Sequence, residues 1–164
     1  MPKQLYDRYD AIVPAPFGAV GVRLNDNQTE VVEVVYLPAD APTLAGECSL
    51  SQRAFEQLAA YFKNPKSRFD LPLAPAGTEF QNKVWRSIDA LECGQVLTYK
   101  QVGQIIGCGS PRAVGGACGA NPYVVITPCH RVVAADGIGG FARHDSGFHV
   151  NIKRWLLEHE GVNY

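Results

Sequence analysis

Helix start and stop signals fall close together in the middle of the chain. Thr98 with Gln101 has the spacing of a capping box, and Gly107 is a typical helix stop. Ser110-Pro111 then begins a second helix as its N-cap and first residue, and Asn121-Pro122 ends that helix. The sequence therefore predicts two helices joined by a four-residue turn at 107–110, which is a helix-turn-helix pattern.

A similar start signal precedes this pair of helices. Thr78 with Gln81 also forms a capping-box pattern, and the apolar residues that follow at helical spacing end near Leu91. The sequence thus predicts a third helix in this part of the chain. The expected buried face of the helix after Thr98 consists of Val102, Ile105 and Ile106.

The first 75 residues predict a different kind of structure. Two strand-like runs, at 19–24 and 31–37, are joined by a polar turn and are typical of a hairpin. Ser51 is expected to cap a helix that ends before Pro65. The segment from Asp70 to Gly77 contains prolines at 72 and 75 and is typical of an extended linker. We therefore predict an α+β chain with two lobes, residues 1–75 and 76–164.

Composition agrees with a folded protein in a reducing compartment. With 164 residues, of which 46% are hydrophobic, the chain can bury a core without covalent staples. Its five cysteines are an odd number with no C-x-x-C pair, so we expect reduced thiols. The N-terminus lacks the apolar run of a signal peptide, and no stretch approaches a membrane span. We expect a cytoplasmic protein that does not bind membranes.

Net charge gives no general case for nucleic-acid binding, because the formal value is −1. The distribution of charge is more informative. No Asp or Glu lies between Glu92 and Asp136, whereas Lys100, Arg112 and Arg131 fall in this window. The window is either a locally positive face or a buried glycine-rich segment that avoids charge, and composition favours neither.

The second helix of the predicted pair carries little side-chain bulk. It contains three glycines between Arg112 and Ala120, and a glycine inside a helix costs about 1 kcal/mol relative to alanine. Such small residues permit close approach, either to a neighbouring helix or to an external groove too narrow for long side chains. Arg112 would be the one long side chain on that surface.

A cysteine and a histidine stand next to each other between apolar flanks. The run at 124–133 is strand-like and is interrupted by Pro128-Cys129-His130-Arg131. A cysteine in such flanks is more often structural, but a nearby histidine, itself held by a carboxylate, can activate a thiol as a nucleophile by ionising it. Because neighbours on an extended strand point to opposite sides, we expect His130 to act through a water rather than by direct contact.

These motifs together resemble the O6-alkylguanine-DNA alkyltransferases, also called methylated-DNA–protein-cysteine methyltransferases. The segments that carry the resemblance are Pro128-Cys129-His130-Arg131-Val132-Val133, Asn121-Pro122, Thr98-Tyr99 and the runs at 77–85, 112–117 and 153–161. They cover nearly the whole second lobe, whereas the first lobe matches only in its order of strands, helix and linker. The resemblance implies a ribonuclease-H-like first lobe and a mostly helical, winged-helix-like second lobe that binds DNA.

The resemblance also implies an activity. The protein would remove the O6-alkyl group of guanine, and the O4-alkyl group of thymine, from double-stranded DNA in an irreversible, single-turnover transfer to Cys129. It would bind the minor groove as a monomer that can cluster on DNA, and would flip the damaged nucleotide into a pocket. We expect no cofactor and no metal, since the zinc ligands of metal-containing relatives are not recognisable in the first lobe.

Residue roles follow by position from the same resemblance. The implied catalytic residues are Cys129 as nucleophile, His130 as base through a water, Glu160 as the partner that orients His130, and Tyr99 as phosphate contact and acid. The implied DNA-binding residues are Arg112, which fills the space left in the duplex, with Tyr99, Ala113, Gly115, Gly116 and Gly119. The implied pocket and support residues are Asn121, Cys118, Val132, Ile126 and Phe141.

One segment departs from the family pattern. After Gly139-Gly140 the run from Phe141 to Phe148 lacks the family's Tyr-x-Gly-Gly and is longer, which leaves the range of alkyl groups open.

Three other functions are alternatives to alkyl transfer. A lesion-binding protein without chemistry would lack Cys129, and a thiol hydrolase would turn over. A helix-turn-helix regulator is disfavoured because the second helix lacks side chains that read major-groove base edges.

Overall fold

The computed structural model describes residues 5–139 and 147–164 of the chain. The chain divides into two compact units, Met1–Pro75 and Ala76–Tyr164. The predicted α+β class is confirmed, because the first unit contains an antiparallel sheet and the second is mostly helical. Among the described residues, no helix has both the length and the apolar composition that crossing a membrane requires.

Three antiparallel strands form the sheet of the first unit. They follow one another in space as β1 (Ala11–Ala15), β2 (Gly18–Leu24) and β3 (Val31–Leu37). The two strand-like runs of the sequence correspond to β2 and β3, so the predicted hairpin is confirmed. The sequence did not predict β1, which contains Pro14. The sheet accommodates this proline because β1 lies at its edge.

Helix α1 (Ser49–Lys63) packs against β1 and β2. Its start differs from the prediction, because Cys48 rather than Ser51 is the N-cap. Ser51 is the third helical residue, and its hydroxyl oxygen accepts the Cys48 N–H at 3.1 Å. The helix therefore begins earlier than predicted. The helix ends before Pro65, as the sequence indicated.

Three helices pack together in the second unit: α2 (Glu79–Asp89), α3 (Tyr99–Ile106) and α4 (Pro111–Gly119). The capping boxes at Thr78 and Thr98 are both formed. Gly107 ends α3 with a φ of 75°, a left-handed conformation that favours glycine, and Ser110 caps α4. The predicted helix-turn-helix of α3 and α4 is therefore confirmed.

The buried face of α3 differs from the prediction at one residue. Val102 is fully buried, but Ile105 is 61% exposed and Ile106 is half-buried. The buried stripe continues through Gly103, where an added Cβ would lie 2.5 Å from the carbonyl oxygen of Cys108. The chain after the helix therefore packs on Gly103. The prediction for Ile105 is wrong, and its side chain lies on the surface.

The run at 124–133, predicted as an interrupted strand, forms mostly turns. It contains a turn at 124–126, a 3-10 turn at Cys129–Arg131 and the short strand β5 at Val132–Val133. Strand β5 pairs in parallel with β4 (Leu97–Thr98), a contact between distant segments that the sequence did not predict. Helix α5 (Phe148–His159) follows in the described part of the chain.

The turn before Cys129 has a strained backbone. Val125 adopts a φ of 71°, a conformation that β-branched residues rarely adopt. The Thr127 N–H donates to the Tyr123 carbonyl at 2.9 Å, and the Cys129 N–H donates to the Thr127 carbonyl at 2.8 Å. These bonds close tight turns where an extended strand was expected. Because Cys129 and His130 stand on a 3-10 turn, the premise that an extended backbone separates their side chains is wrong.

Candidate active site

Cys129 begins the 3-10 turn and is nearly buried, with 4% of its surface exposed. The loop before it is held by Asn121, which follows α4. The Asn121 side chain donates to the Thr127 carbonyl at 2.9 Å and accepts the Tyr123 N–H at 2.9 Å. Fixing this loop also fixes the cysteine that follows it. Asn121 thus connects the end of α4 with the turn that carries Cys129.

His130 and Glu160 form a buried pair. Nε2 of His130 lies 2.7 Å from Oε2 of Glu160, and neither side chain is exposed. Burial lowers the pKa of His130 despite the neighbouring carboxylate, so the ring is neutral at neutral pH. Nε2 then carries the proton donated to Glu160, and Nδ1 is left as an acceptor. Within the described part of the chain, buried Nδ1 has no hydrogen-bond partner.

Glu160 also binds Arg131. Arg131 donates from Nε to Oε1 of Glu160 at 2.8 Å and from Nη2 to Oε2 at 3.2 Å, while Nη1 donates to the Leu91 carbonyl at 2.6 Å. The Arg131 side chain is only 11% exposed. Arg131 therefore does not belong to a positive surface, which corrects one reading of the window without acidic residues. Of its three basic residues, Lys100 and Arg112 are exposed.

A small pocket lies beside Cys129, and its lining includes Cys118, Asn121, Val125 and Thr127. The neighbouring Cys118 thiol and burial together raise the pKa of Cys129 well above its usual value. The resting Cys129 is therefore protonated. The thiolate expected from the sequence is not the resting state, so the sulfur must lose its proton when it attacks.

Tyr99 and Lys153 meet close to the two cysteines. Lys153 is fully buried, and its Nζ donates to the Tyr99 hydroxyl at 3.3 Å and lies 5.5 Å from the ring centroid. Burial raises the pKa of Tyr99, and burial lowers the pKa of Lys153 to about 8. Charge on Cys118 or Cys129 acts on both groups, so the four side chains share one electrostatic environment.

The outer face of α4 is nearly bare. Arg112, Ala113 and Gly116 are exposed, and a Cβ added to Gly116 would meet nothing within 4 Å. A Cβ on Gly115 would make ordinary contact with the Tyr99 ring at 3.9 Å. Packing inside the unit therefore does not require glycine at either position.

The remaining predicted residues take different places. Gly119, expected to contact DNA, lines the pocket beside Cys129. Val132 is buried in β5 and supports the site from within, while Ile126 is half-buried. Phe141 and most of the long loop lie outside the described residues. Within 5–139 and 147–164, no group of three or more His, Cys, Asp or Glu side chains is arranged to hold a metal ion.

Sequence reasoning missed the placement of Lys153 and Arg131. Lys153 lies on the buried face of α5, at helical spacing from Val150 and Leu157. A lysine in an apolar stripe is a signal that could have indicated a buried cation with a partner. The sequence indicated the positive charge of Arg131 but not its ion pair, because its partner Glu160 is distant in the sequence and no spacing rule connects the two residues.

The fold and the site together define the class of protein. It is a helix-turn-helix protein in which a buried cysteine, histidine and glutamate lie next to a helix with a bare outer face, and the cysteine is a candidate nucleophile. The profile of the family described as 6-O-methylguanine DNA methyltransferase, DNA binding domain, matches residues 79–162. The chain belongs to this family, the methylated-DNA–protein-cysteine methyltransferases.

Relatives and solved structures resemble the chain over different lengths. The probable methylated-DNA–protein-cysteine methyltransferase of Acanthamoeba polyphaga mimivirus is 33% identical over 154 residues, 93% of this chain and 96% of that protein. The methylated-DNA–protein-cysteine methyltransferase of Shigella flexneri is 42% identical over 109 residues, 65% of this chain and 61% of that protein. The crystal structure of Mycobacterium tuberculosis OGT in complex with DNA matches with a TM-score of 0.75, 31% identity and 92% coverage of both chains.

Proposed function

We propose that this protein repairs alkylated DNA by transferring the O6-alkyl group of guanine to Cys129, once per molecule. The observation that carries the proposal is the buried Cys129 next to His130, whose Nε2 is held by Glu160. A nucleophile, a base and a group that orients the base are the parts that activation of a thiol requires. Membership in the methyltransferase family supports the substrate class.

In this proposal α4 lies in the minor groove of double-stranded DNA. The bare surface of Ala113, Gly115 and Gly116 lets the helix backbone come close to a narrow groove. Arg112 is exposed at the first turn of α4 and reaches into the duplex. Tyr99, at the start of α3, contacts the phosphate beside the lesion and rotates it. The protein binds as a monomer, and several copies can cluster along DNA.

The damaged nucleotide leaves the base stack in this proposal. A nearly buried sulfur cannot reach an O6 substituent inside a duplex, whereas a flipped base can enter the pocket beside Cys129. Unstacking costs a few kcal/mol and is easiest for a poorly paired lesion. Arg112 then fills the space that the base has left. The strained Val125 is part of the pocket wall and is fixed by the turns around it.

The transfer is a substitution at the alkyl carbon. Sγ of Cys129 forms a bond to this carbon while the carbon–oxygen bond breaks, and the electron pair stays on guanine. The Cys129 proton passes through a water to Nδ1 of His130, the buried acceptor left without a protein partner in the described residues. Tyr99 protonates the departing guanine, and the nearby Lys153 ammonium stabilises the phenolate that forms.

Positioning of the reacting atoms has to supply most of the rate enhancement of the transfer. A thiol with a pKa of about 8.5 is roughly 3% ionised at neutral pH, so complete ionisation can contribute only about 30-fold, or about 2 kcal/mol. The raised pKa of Cys129 makes a resting thiolate rarer still. In-line alignment of sulfur and carbon, and stabilisation of the departing guanine, can each contribute more than ionisation.

The same chemistry extends to O4-alkylthymine, which also carries its alkyl carbon on an exocyclic oxygen. The thiol itself accepts the group, so the reaction uses no cofactor. All five cysteines are free, which fits a reducing cytoplasm.

The direct test is the intact mass of the protein after incubation with a duplex that contains O6-methylguanine. We expect the mass to rise by one methyl group per chain, with peptide mapping locating the group on Cys129. With excess duplex the reaction should stop at one group per chain, because a thioether is a poor leaving group. An O4-methylthymine duplex tests the wider substrate range, and an unmodified duplex is the control.

Two other functions give different results in this assay. A lesion-binding protein without chemistry would bind the duplex and keep its mass. A thiol hydrolase would cleave chromogenic esters repeatedly and would not stop after one event. An unchanged mass, or a methyl group on any side chain other than Cys129, would contradict the proposed function.

Tyr99→Phe tests the proposed acid. We expect transfer to slow by about 100-fold or more, because general acid catalysis is usually worth 10²–10⁴-fold. Single-turnover transfer is the measurement, with thiol titration to show that Cys129 is intact. Tyr164→Phe, at a residue that is 43% exposed, is the matched control and should transfer at the original rate. Equal rates for both variants would exclude Tyr99 as the acid.

A further inference from the structure

A second thiol lies beside the proposed nucleophile, and the transfer reaction does not use it. Cys118 is near the end of α4, and Cys129 begins the 3-10 turn. Both cysteines line the same pocket. The pocket is small, and the Cys118 thiol raises the pKa of Cys129, so the two thiols are neighbours in the reduced protein. Disulfide formation needs two cysteines a short distance apart, and the shared pocket wall brings these two together.

The two thiols differ in their access to solvent. Cys118 is half-buried, whereas Cys129 is 4% exposed. A small oxidant such as a peroxide therefore meets Cys118 first. Cys129 has no equally close alternative partner in the described residues, because none of the other three cysteines lines this pocket.

We propose that peroxide converts Cys118 and Cys129 into a reversible disulfide that switches off transfer and protects the nucleophile. In the first step the Cys118 thiol is oxidised to a sulfenic acid and peroxide is reduced, releasing water. In the second step Sγ of Cys129 attacks the Cys118 sulfur, the sulfur–oxygen bond breaks and a second water leaves. A dithiol reductant reverses the change by thiol–disulfide exchange.

The disulfide has a consequence that follows from the single-use reaction, so this inference rests on the proposed function. Further oxidation of Cys129 to a sulfinic acid would destroy the one acceptor that the molecule has. A disulfide with Cys118 keeps Cys129 in an oxidation state from which a reductant can restore the thiol. It also ties α4, the proposed DNA-contacting helix, to the turn that carries the nucleophile.

The test is treatment of the full-length protein with hydrogen peroxide, followed by non-reducing peptide mapping. We expect a cross-linked peptide pair that joins Cys118 to Cys129 and an intact mass lower by two hydrogen atoms. Transfer from an O6-methylguanine duplex should be abolished and should return after dithiothreitol. In the Cys118→Ala and Cys118→Ser variants, peroxide should cause a loss of alkyl transfer that dithiothreitol does not reverse.

Cys93→Ala is the matched control, because Cys93 is a half-buried thiol of the same unit that does not line the pocket. After peroxide treatment, this variant should lose alkyl transfer and regain it with dithiothreitol, as the original protein does. Separate sulfinic acids without a cross-link, or a cross-link to another cysteine or another molecule, would overturn the inference. The peptide map does not depend on alkyl transfer, so a missing cross-link in a protein that does transfer refutes this inference alone. Absence of transfer in the reduced protein refutes the proposed function instead.

Discussion

Cys129→Ser should abolish alkyl transfer while the protein still binds a lesion-containing duplex. Serine keeps the size of the side chain, so the turn held by Asn121 and the pocket wall should persist. Its hydroxyl is a far weaker nucleophile than a thiol, and His130, neutral and buried, is too weak a base to ionise it. The measurements are intact mass after incubation with O6-methylguanine duplex and, separately, binding of the same duplex.

Cys93→Ser is the control for this experiment, since it makes the same change at a half-buried cysteine that does not line the pocket. It should become methylated at Cys129 to one group per chain. Any methyl group on the Cys129→Ser protein would show that another side chain accepts the alkyl group. Loss of duplex binding in a folded Cys129→Ser protein would show that the thiol has a role in recognition that the proposed mechanism does not give it.

Local signals predicted the helix-turn-helix well because capping is a short-range interaction. At Thr98 the side chain accepts the Gln101 N–H, and the Gln101 side chain accepts the Thr98 N–H, so residues three apart determine the helix start. Gly107 ends the helix by its own backbone preference. The same rule placed the start of α1 too late. There Cys48, a residue not usually expected as a cap, takes the position assigned to Ser51.

The geometry around Cys129 could not be predicted in the same way, because long-range contacts determine it. The run at 124–133 has strand-like composition, yet Asn121 and Pro128 constrain it to turns, and β5 forms only where it pairs with β4. Likewise, the sequence motif put Cys129 beside His130 but gave no sign that Cys118 would lower its acidity. Such effects depend on distances that only the folded chain sets.

Glu160→Gln should destabilise the protein and slow transfer together. The carboxylate of Glu160 accepts N–H groups from Nε2 of His130 and from Nε and Nη2 of Arg131. Glutamine offers one oxygen, so its NH₂ group would face at least one of these donors, and the Arg131 cation would lose its buried counter-charge. Breaking a buried ion pair from one side costs about 3–5 kcal/mol, and we expect the free energy of unfolding to fall by about this amount. Chemical denaturation at pH 7 measures it.

The pH dependence separates positioning of His130 from loss of stability. Burial lowers the pKa of folded His130 below its unfolded value of 6.5, so the unfolded chain binds more protons below that pH and stability falls as pH falls. Without Glu160, whose charge raises this pKa, the pKa of His130 should drop further, and the acid limb of the transfer rate should move to lower pH with a lower plateau. Glu158→Gln, an exposed change on the same helix, should alter neither property. A Glu160→Gln protein that is less stable but keeps the original pH–rate profile would show that Glu160 supports the fold without orienting the base.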